Sequence, residues 1–230
     1  MNAVNLRLIS SVTCPFVQRA VIALQEKNVA TIDTSYIDLA APPEWFLHVS
    51  PRGKVPVLQT PEGPLFESLA ICEYIDETTN PISSLMPPTA FGRAEDRAWA
   101  AFVGEDLFGP LYMLMTAPDL GTAQTHQASI ERSLVRLDGH LKNRNFLSAP
   151  GTHYGMADVC AAPFAMRALD ARSRGWYDLF EGKPAARAWA ECLYERPSTR
   201  ASVPSDYAKA ETDMLEARGS VWIRRPQETW

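Results

Sequence analysis

Thr13-Cys14-Pro15-Phe16 lies in the stretch NLRLISSVTCPFVQRAVIALQEK, residues 5–27, where a β-like run gives way to a helical one. Asn5-Leu6-Arg7-Leu8-Ile9 reads as a strand. Pro15 to Lys27 reads as a helix with Phe16, Ala20, Ala23 and Leu24 on one apolar face and Asn28 as its stop. Proline is favoured at the first helical position because the N–H it lacks would have no partner there. Cys14 therefore falls at the N-cap, where its sulfur faces unpaired backbone N–H groups and the positive end of the helix dipole. Both favour a thiolate, so the pKa is expected to fall below the ordinary value of about 8.5. A lowered pKa gives more nucleophile at neutral pH and a better leaving group in thiol–disulfide exchange. The bland alternative is a buried structural cysteine. Val17 stands where a CxxC pair would carry its second cysteine, so any mixed disulfide must be resolved by an external small thiol.

Outward from this corner, Thr34 to Asp38 alternates like a second strand. Val57 to Thr60 and Leu65 to Glu67 flank the turn-rich Pro61-Glu62-Gly63-Pro64 and read as a hairpin. Ser68 reads as the cap of a helix running to about Thr79. Residues 1–80 thus form an α/β unit with mixed strand directions. Residues 81–91, with Pro81, Pro87 and Pro88, read as a linker, and residues 92–230 as an all-helical unit. Helical periodicity runs over Gly92 to Thr116, Thr122 to Arg144, Met156 to Arg172, Pro184 to Glu195 and Asp206 to Arg218. Trp222 and Trp230 suggest a tail that folds back onto the body.

Two further segments bear on chemistry. In Gly53-Lys54-Val55-Pro56-Val57-Leu58, a cis bond before Pro56 would leave the Val55 N–H and C=O free for an extended peptide-like ligand, with Lys54 near a carboxylate. A trans proline opening an edge strand beside a solvated lysine fits the same residues. In Phe66-Glu67-Ser68-Leu69, Ser68 at a helix start and Glu67 at a strand end can grip the carboxylate and ammonium of an amino-acid zwitterion. An ordinary helix cap fits equally.

Composition narrows the partners. A net charge of −5 and a pI near 5.4 give no basic face for nucleic acid. No apolar run reaches the roughly 18 residues of a membrane span, and the first residues lack the basic start of a secretory leader. Cys14, Cys72, Cys160 and Cys192 are scattered, as are His48, His126, His140 and His153, so neither disulfides nor a metal site is expected. Cys72, Cys160 and Cys192 read as core. Arg19 reads as half of an internal ion pair. Ser10 and Ser11 are weaker nucleophile candidates than Cys14, which holds the helix start.

Taken together, Cys14-Pro15-Phe16-Val17-Gln18-Arg19, Pro43-Glu44-Trp45-Phe46, Lys54-Val55-Pro56-Val57-Leu58, and Glu67-Ser68 followed by Cys72-Glu73-Tyr74-Ile75-Asp76-Glu77 resemble the cytosolic glutathione transferases. The cysteine-type site is similar to the omega and lambda classes, with tau-like features. The match is dense through residues 5–80 and diffuse afterwards, where Ala157-Asp158 carries most of it. The resemblance implies a thioredoxin-like N-terminal domain, an all-helical C-terminal domain, a cytoplasmic homodimer, and glutathione as cosubstrate with no permanent cofactor. It implies that Cys14 forms a mixed disulfide with glutathione and that Phe16 packs near the thiol. Val55, before a cis Pro56, would pair with the cysteinyl unit, Glu67 and Ser68 would hold the γ-glutamyl end, and Lys54 would reach the glycyl carboxylate. Tyr112, Met115 and Trp176 would border the pocket of a small electrophilic or disulfide-type second substrate. A cysteine in place of the family's serine favours thiol transfer and reduction, dehydroascorbate included, over conjugation. A non-catalytic binding protein on the same scaffold is the other class of reading. Two departures stand out: Pro42 replaces a glutathione-binding lysine of omega-like relatives, and Gly155 replaces a capping serine or threonine.

Overall fold

A computed structural model describes residues 6–29, 32–79 and 83–224. Its first half is a four-stranded sheet built from β1 (Arg7–Ser10), β2 (Asp33–Tyr36), β3 (Val57–Thr60) and β4 (Gly63–Phe66), in the order β2-β1-β3-β4. β1 runs parallel to β2 and antiparallel to β3, and β3 is antiparallel to β4. Leu8 lies opposite both Thr34 and Leu58, and Ile9 opposite Val57. Leu8 and Ile9 are both sealed from solvent, as are Val57 and Leu58, so the central strands are covered on both faces. The helices of this half are α1 (Pro15–Glu26), α2 (Glu44–Val49) and α3 (Ser68–Thr78). With the sheet they make a thioredoxin-like N-terminal domain.

Three local readings are corrected. The hairpin turn is shorter than expected, since β4 begins at Gly63 and takes in Pro64, which pairs with Gln59 on an edge strand where a missing N–H is tolerated. The N-cap of α3 is Glu67, in the left-handed region at φ 69°, and Ser68 is already the first helical residue. The six-residue α2 was not foreseen. Asn28, at φ 57°, does end α1.

The second half is helical: α4 (Ala90–Phe102), α5 (Gly109–Met115), α6 (Leu120–Leu141), α7 (Met156–Ser173), α8 (Pro184–Glu195), α9 (Pro197–Arg200), α10 (Tyr207–Ala217) and α11 (Val221–Arg224). The continuous helix expected from Gly92 to Thr116 is broken in register by a π-helical stretch, Val103–Phe108, between α4 and α5. Such wide turns recur at functional sites. Helix α7 is buried nearly all round, from Met156 to Ala168, and packs against α1, α4 and α8. It is the axis of the molecule. Asp158 in its first turn is fully buried and accepts from the backbone N–H of Leu147, Ser148 and Gly155 and from Trp189 Nε1.

A buried ion pair of the first half fixes the linker. Lys27 Nζ meets Asp76 Oδ1 at 2.8 Å, and Asp76 also accepts from the N–H of Leu85 and Met86, fixing the segment that leads into α4. The tail folds back as expected up to α11: Trp222 Nε1 donates to the Leu114 carbonyl at 2.8 Å and Ser220 Oγ to that of Met115 at 2.7 Å. Trp230, Asn5 and residues 80–82 lie outside the described residues.

Candidate active site

Cys14 occupies the N-cap of α1 with extended backbone (φ −75°, ψ 116°) and Pro15 directly after it, as the sequence requires. Its N–H donates to the Ser11 carbonyl at 3.1 Å, closing the turn out of β1. The half-buried thiol points at the neighbouring strand corner, where Sγ donates to the Val55 carbonyl at 3.7 Å. Val55 precedes a cis peptide to Pro56.

The expected acidity is reversed. Burial pushes the Cys14 thiol above its ordinary pKa, against the pull of the Val17 and Phe16 N–H groups and of the Arg167 and Arg19 charges. The helix-start effect is present, and dehydration outweighs it. The hydrogen bond to Val55 adds to the same side, because it needs the proton on sulfur.

Beside the thiol lies a polar cavity of about 440 Å³ whose lining includes Phe16, Lys54, Val55, Pro56, Glu67 and Ser68. The residues named from sequence for a γ-glutamyl tripeptide thus share one wall. Sequence reasoning missed Arg52 there, which pairs with Glu67 at 2.8 Å. It also misjudged Arg19. No ion pair of Arg19 exists among the described residues; its Nε donates to the Cys160 carbonyl at 2.8 Å and its Nη1 to Ser68 Oγ at 3.3 Å. The guanidinium lies against the rings of Phe16 and Phe108, 4.9 and 5.5 Å from their centroids. Phe16 packs on Phe108 at 5.7 Å, near the thiol and without a reactive role.

A second, larger cavity of about 700 Å³ opens on the other side of Phe16. Cys14, Tyr112 and Met115 line it, with Ile37, Leu39 and Phe108. Trp176 does not: it stacks on Trp222 at 6.3 Å, turned away by the fold of the tail. Phe16, Lys54, Val55 and Gly104 line both cavities, so the apolar cavity that Cys14 lines adjoins the polar one across these residues. Cys72 and Cys160 are buried as expected. Cys192 is exposed on α8, contrary to the core reading, because the buried face of that helix runs through Ala186, Trp189, Ala190 and Leu193.

Residues 8–83 match the family model "Glutathione S-transferase, N-terminal domain". A probable glutathione S-transferase GSTU1 of Oryza sativa subsp. japonica is 30% identical over 76% of this chain and 79% of its own length. The chain belongs to the glutathione S-transferase family. A second rice relative, the probable glutathione S-transferase DHAR2, chloroplastic, is 31% identical over 65% of this chain, which spans half of that protein's length. The crystal structure of rice GST1 (OsGSTU1) in complex with glutathione superposes with a TM-score of 0.80 at 26% identity, covering 94% of this glutathione S-transferase and 97% of that chain.

Proposed function

We propose that this glutathione S-transferase is a glutathione-dependent thiol transferase and reductase, with Cys14 as its nucleophile. One observation carries the reading: an unbridged cysteine, not a serine, stands at the helix start and lines the apolar cavity, which shares Phe16, Lys54 and Val55 with the polar one. Glutathione fits the polar side. Its γ-glutamyl zwitterion meets Glu67 and Ser68, its glycyl carboxylate meets Lys54, and its cysteinyl N–H takes the Val55 carbonyl. That last contact removes the acceptor that holds the Cys14 proton, so ligand binding itself favours the thiolate.

The chemistry then runs in two exchanges. The Cys14 thiolate attacks the glutathionyl sulfur of a mixed disulfide R–S–SG, forming Cys14–S–SG and releasing RS⁻, which takes a proton. A glutathione thiolate then attacks the glutathionyl sulfur of Cys14–S–SG, so that glutathione disulfide leaves and the Cys14 thiolate returns. No second protein cysteine is needed, in keeping with Val17 at the fourth position. Small oxidised substrates such as dehydroascorbate belong to the same class of reading. A reducing, glutathione-containing compartment such as the cytoplasm suits it, and so does a two-fold dimer, to which Phe91, 79% exposed at the start of α4, offers apolar surface. Sedimentation measures the dimer.

Wild type and Cys14→Ser, assayed for disulfide exchange and for conjugation of glutathione to an aryl halide, test the proposal. Loss of exchange with a gain in conjugation is expected, since a hydroxyl can steady the glutathione thiolate and cannot form a disulfide. Unchanged exchange activity in the serine variant would overturn it.

A further inference from the structure

Arg167 stands on α7, in the helical half, yet its hydrogen bonds reach the corner that carries Cys14. Nη2 donates to the Thr13 carbonyl at 3.1 Å, and Nη1 donates to Gln18 Oε1 at 2.7 Å and to the Pro163 carbonyl at 3.0 Å. Gln18 passes the connection on, its Nε2 donating to Ser202 Oγ at 2.8 Å. The Tyr207 ring covers the guanidinium, 5.4 Å from Cζ, and only 6% of the residue is exposed.

Every hydrogen-bond partner of this cation is neutral, and no ion pair of Arg167 exists among the described residues. Two carboxylates stand near: Glu211 pairs with Arg174 at 2.9 Å, and Asp170, which accepts from the Tyr194 hydroxyl at 3.2 Å, feels the Arg167 and Arg174 charges without an ion-pair contact to Arg167. A buried charge without a direct counter-ion is costly. The group in the same cavity that gains negative charge during thiol exchange is Cys14 Sγ.

We propose that Arg167 is a positioning residue for Cys14: it anchors the Thr13 carbonyl, and with it the start of α1, from the helical half, and its charge, which makes no ion pair among the described residues, offsets the negative charge formed at Sγ. The inference deepens the thiol-transferase reading and rests on it. Other charged groups face this region. Arg19, from α1 itself, acts with the same sign; Lys54 and Asp38 line the cavity from the sheet-bearing half, and Glu211 and Arg218 from α10. Glu211 is neutralised by Arg174, which leaves Arg167 as the cation tied directly to the Cys14 turn.

The test compares wild type, Arg167→Met and Arg167→Lys as full chains, following alkylation of Cys14 by iodoacetamide against pH, with the modified peptide identified by mass. Arg167→Met should slow alkylation at neutral pH about tenfold, the change that one pKa unit produces, and leave the limiting rate at high pH unaltered. Disulfide exchange should fall in parallel while KM for glutathione holds, because Arg167 does not line the polar cavity. Arg167→Lys should recover most of the alkylation rate, since it returns the charge. A folded Arg167→Met with the wild-type pH profile would overturn the inference, as would a lysine variant no better than methionine. If the methionine variant does not fold, Arg167→Gln carries the same expectation, its amide still able to meet one carbonyl. Exchange activity surviving in Cys14→Ser would strike the reading of the enzyme instead, and would leave the alkylation comparison intact.

Discussion

Gly155 sits at the N-cap of α7 with extended backbone (φ −151°, ψ −160°) that any residue adopts, so space reserves the position for glycine. A Cβ there would stand 2.6 Å from Ser148 Oγ, 2.7 Å from Ser148 Cβ and 2.8 Å from the Leu85 carbonyl oxygen. Ser148 Oγ is where a capping hydroxyl belongs: it accepts from the Ala157 N–H at 3.0 Å and donates to Asp96 Oδ2 at 2.7 Å. The cap that family members carry on their own serine or threonine is thus supplied from the preceding loop, and Gly155 makes room for it. Gly155→Ala must push Ser148 aside. Overpacking costs about 1–3 kcal/mol and loss of a cap about 1 kcal/mol more, so a destabilisation of about 3 kcal/mol is expected. Ser148→Gly removes the cap and leaves Asp96 a donor short, about 1–2 kcal/mol. The double variant Gly155→Ser with Ser148→Gly puts the hydroxyl back on the helix, and should be more stable than the sum of the single changes by about 1 kcal/mol or more. Urea unfolding with matched slopes reads all of these. A Gly155→Ala protein as stable as wild type, or strict additivity in the cycle, would refute the exchange of one cap for another.

Glu67→Gln should raise KM for glutathione about tenfold, the value of one charge-assisted hydrogen bond, while kcat and the urea midpoint barely move. Its ion pair with Arg52 is more than half exposed on both sides and adds little to stability; a large loss of stability with unchanged KM would contradict this. Burial raises the Asp158 carboxyl to about 6, against four donated N–H bonds. Because the unfolded value is about 3.9, the folded chain keeps a proton that the unfolded chain has lost between these values. The contribution of Asp158 is fully present below about pH 4 and declines as pH rises through 6. Urea midpoints of wild type and Asp158→Asn should therefore diverge across that window, and parallel curves would rule it out.

Much of the site was readable because its signals are local. A switch from period two to period 3.6 with proline at the join places Cys14 at a helix start whatever surrounds it. Lys54, Val55, Glu67 and Ser68 came from short segments whose residues stay neighbours in the fold. Ser68 shows the limit of such reading. Propensity names a serine as the cap, yet its hydroxyl takes Arg19 from α1 and Glu67 holds the cap position. The resemblance puts Trp176 at the second-substrate pocket, and only the path of the tail, which brings Trp222 onto it, shows it stacked elsewhere. The π-helical stretch has no periodic mark that separates it from the helices on either side.

The acidity of Cys14 is where local and distant effects oppose each other. What is visible in sequence, a helix start with its unpaired N–H groups and dipole, favours the thiolate, and the Val17 and Phe16 N–H groups are present at the sulfur. What decides the sign arrives from elsewhere: the packing that dries the thiol raises its pKa against the Arg167 charge, which comes from α7. The drying outweighs the pull of the N–H groups and the arginine charges, and the Cys14 thiol is pushed above its ordinary pKa. A resting thiol of this kind is a poor target for chance alkylation or oxidation. On the proposed reading, a ligand backbone that takes the Val55 carbonyl while the two arginine charges stay in place shifts the sulfur toward the thiolate, so binding and activation would share one contact.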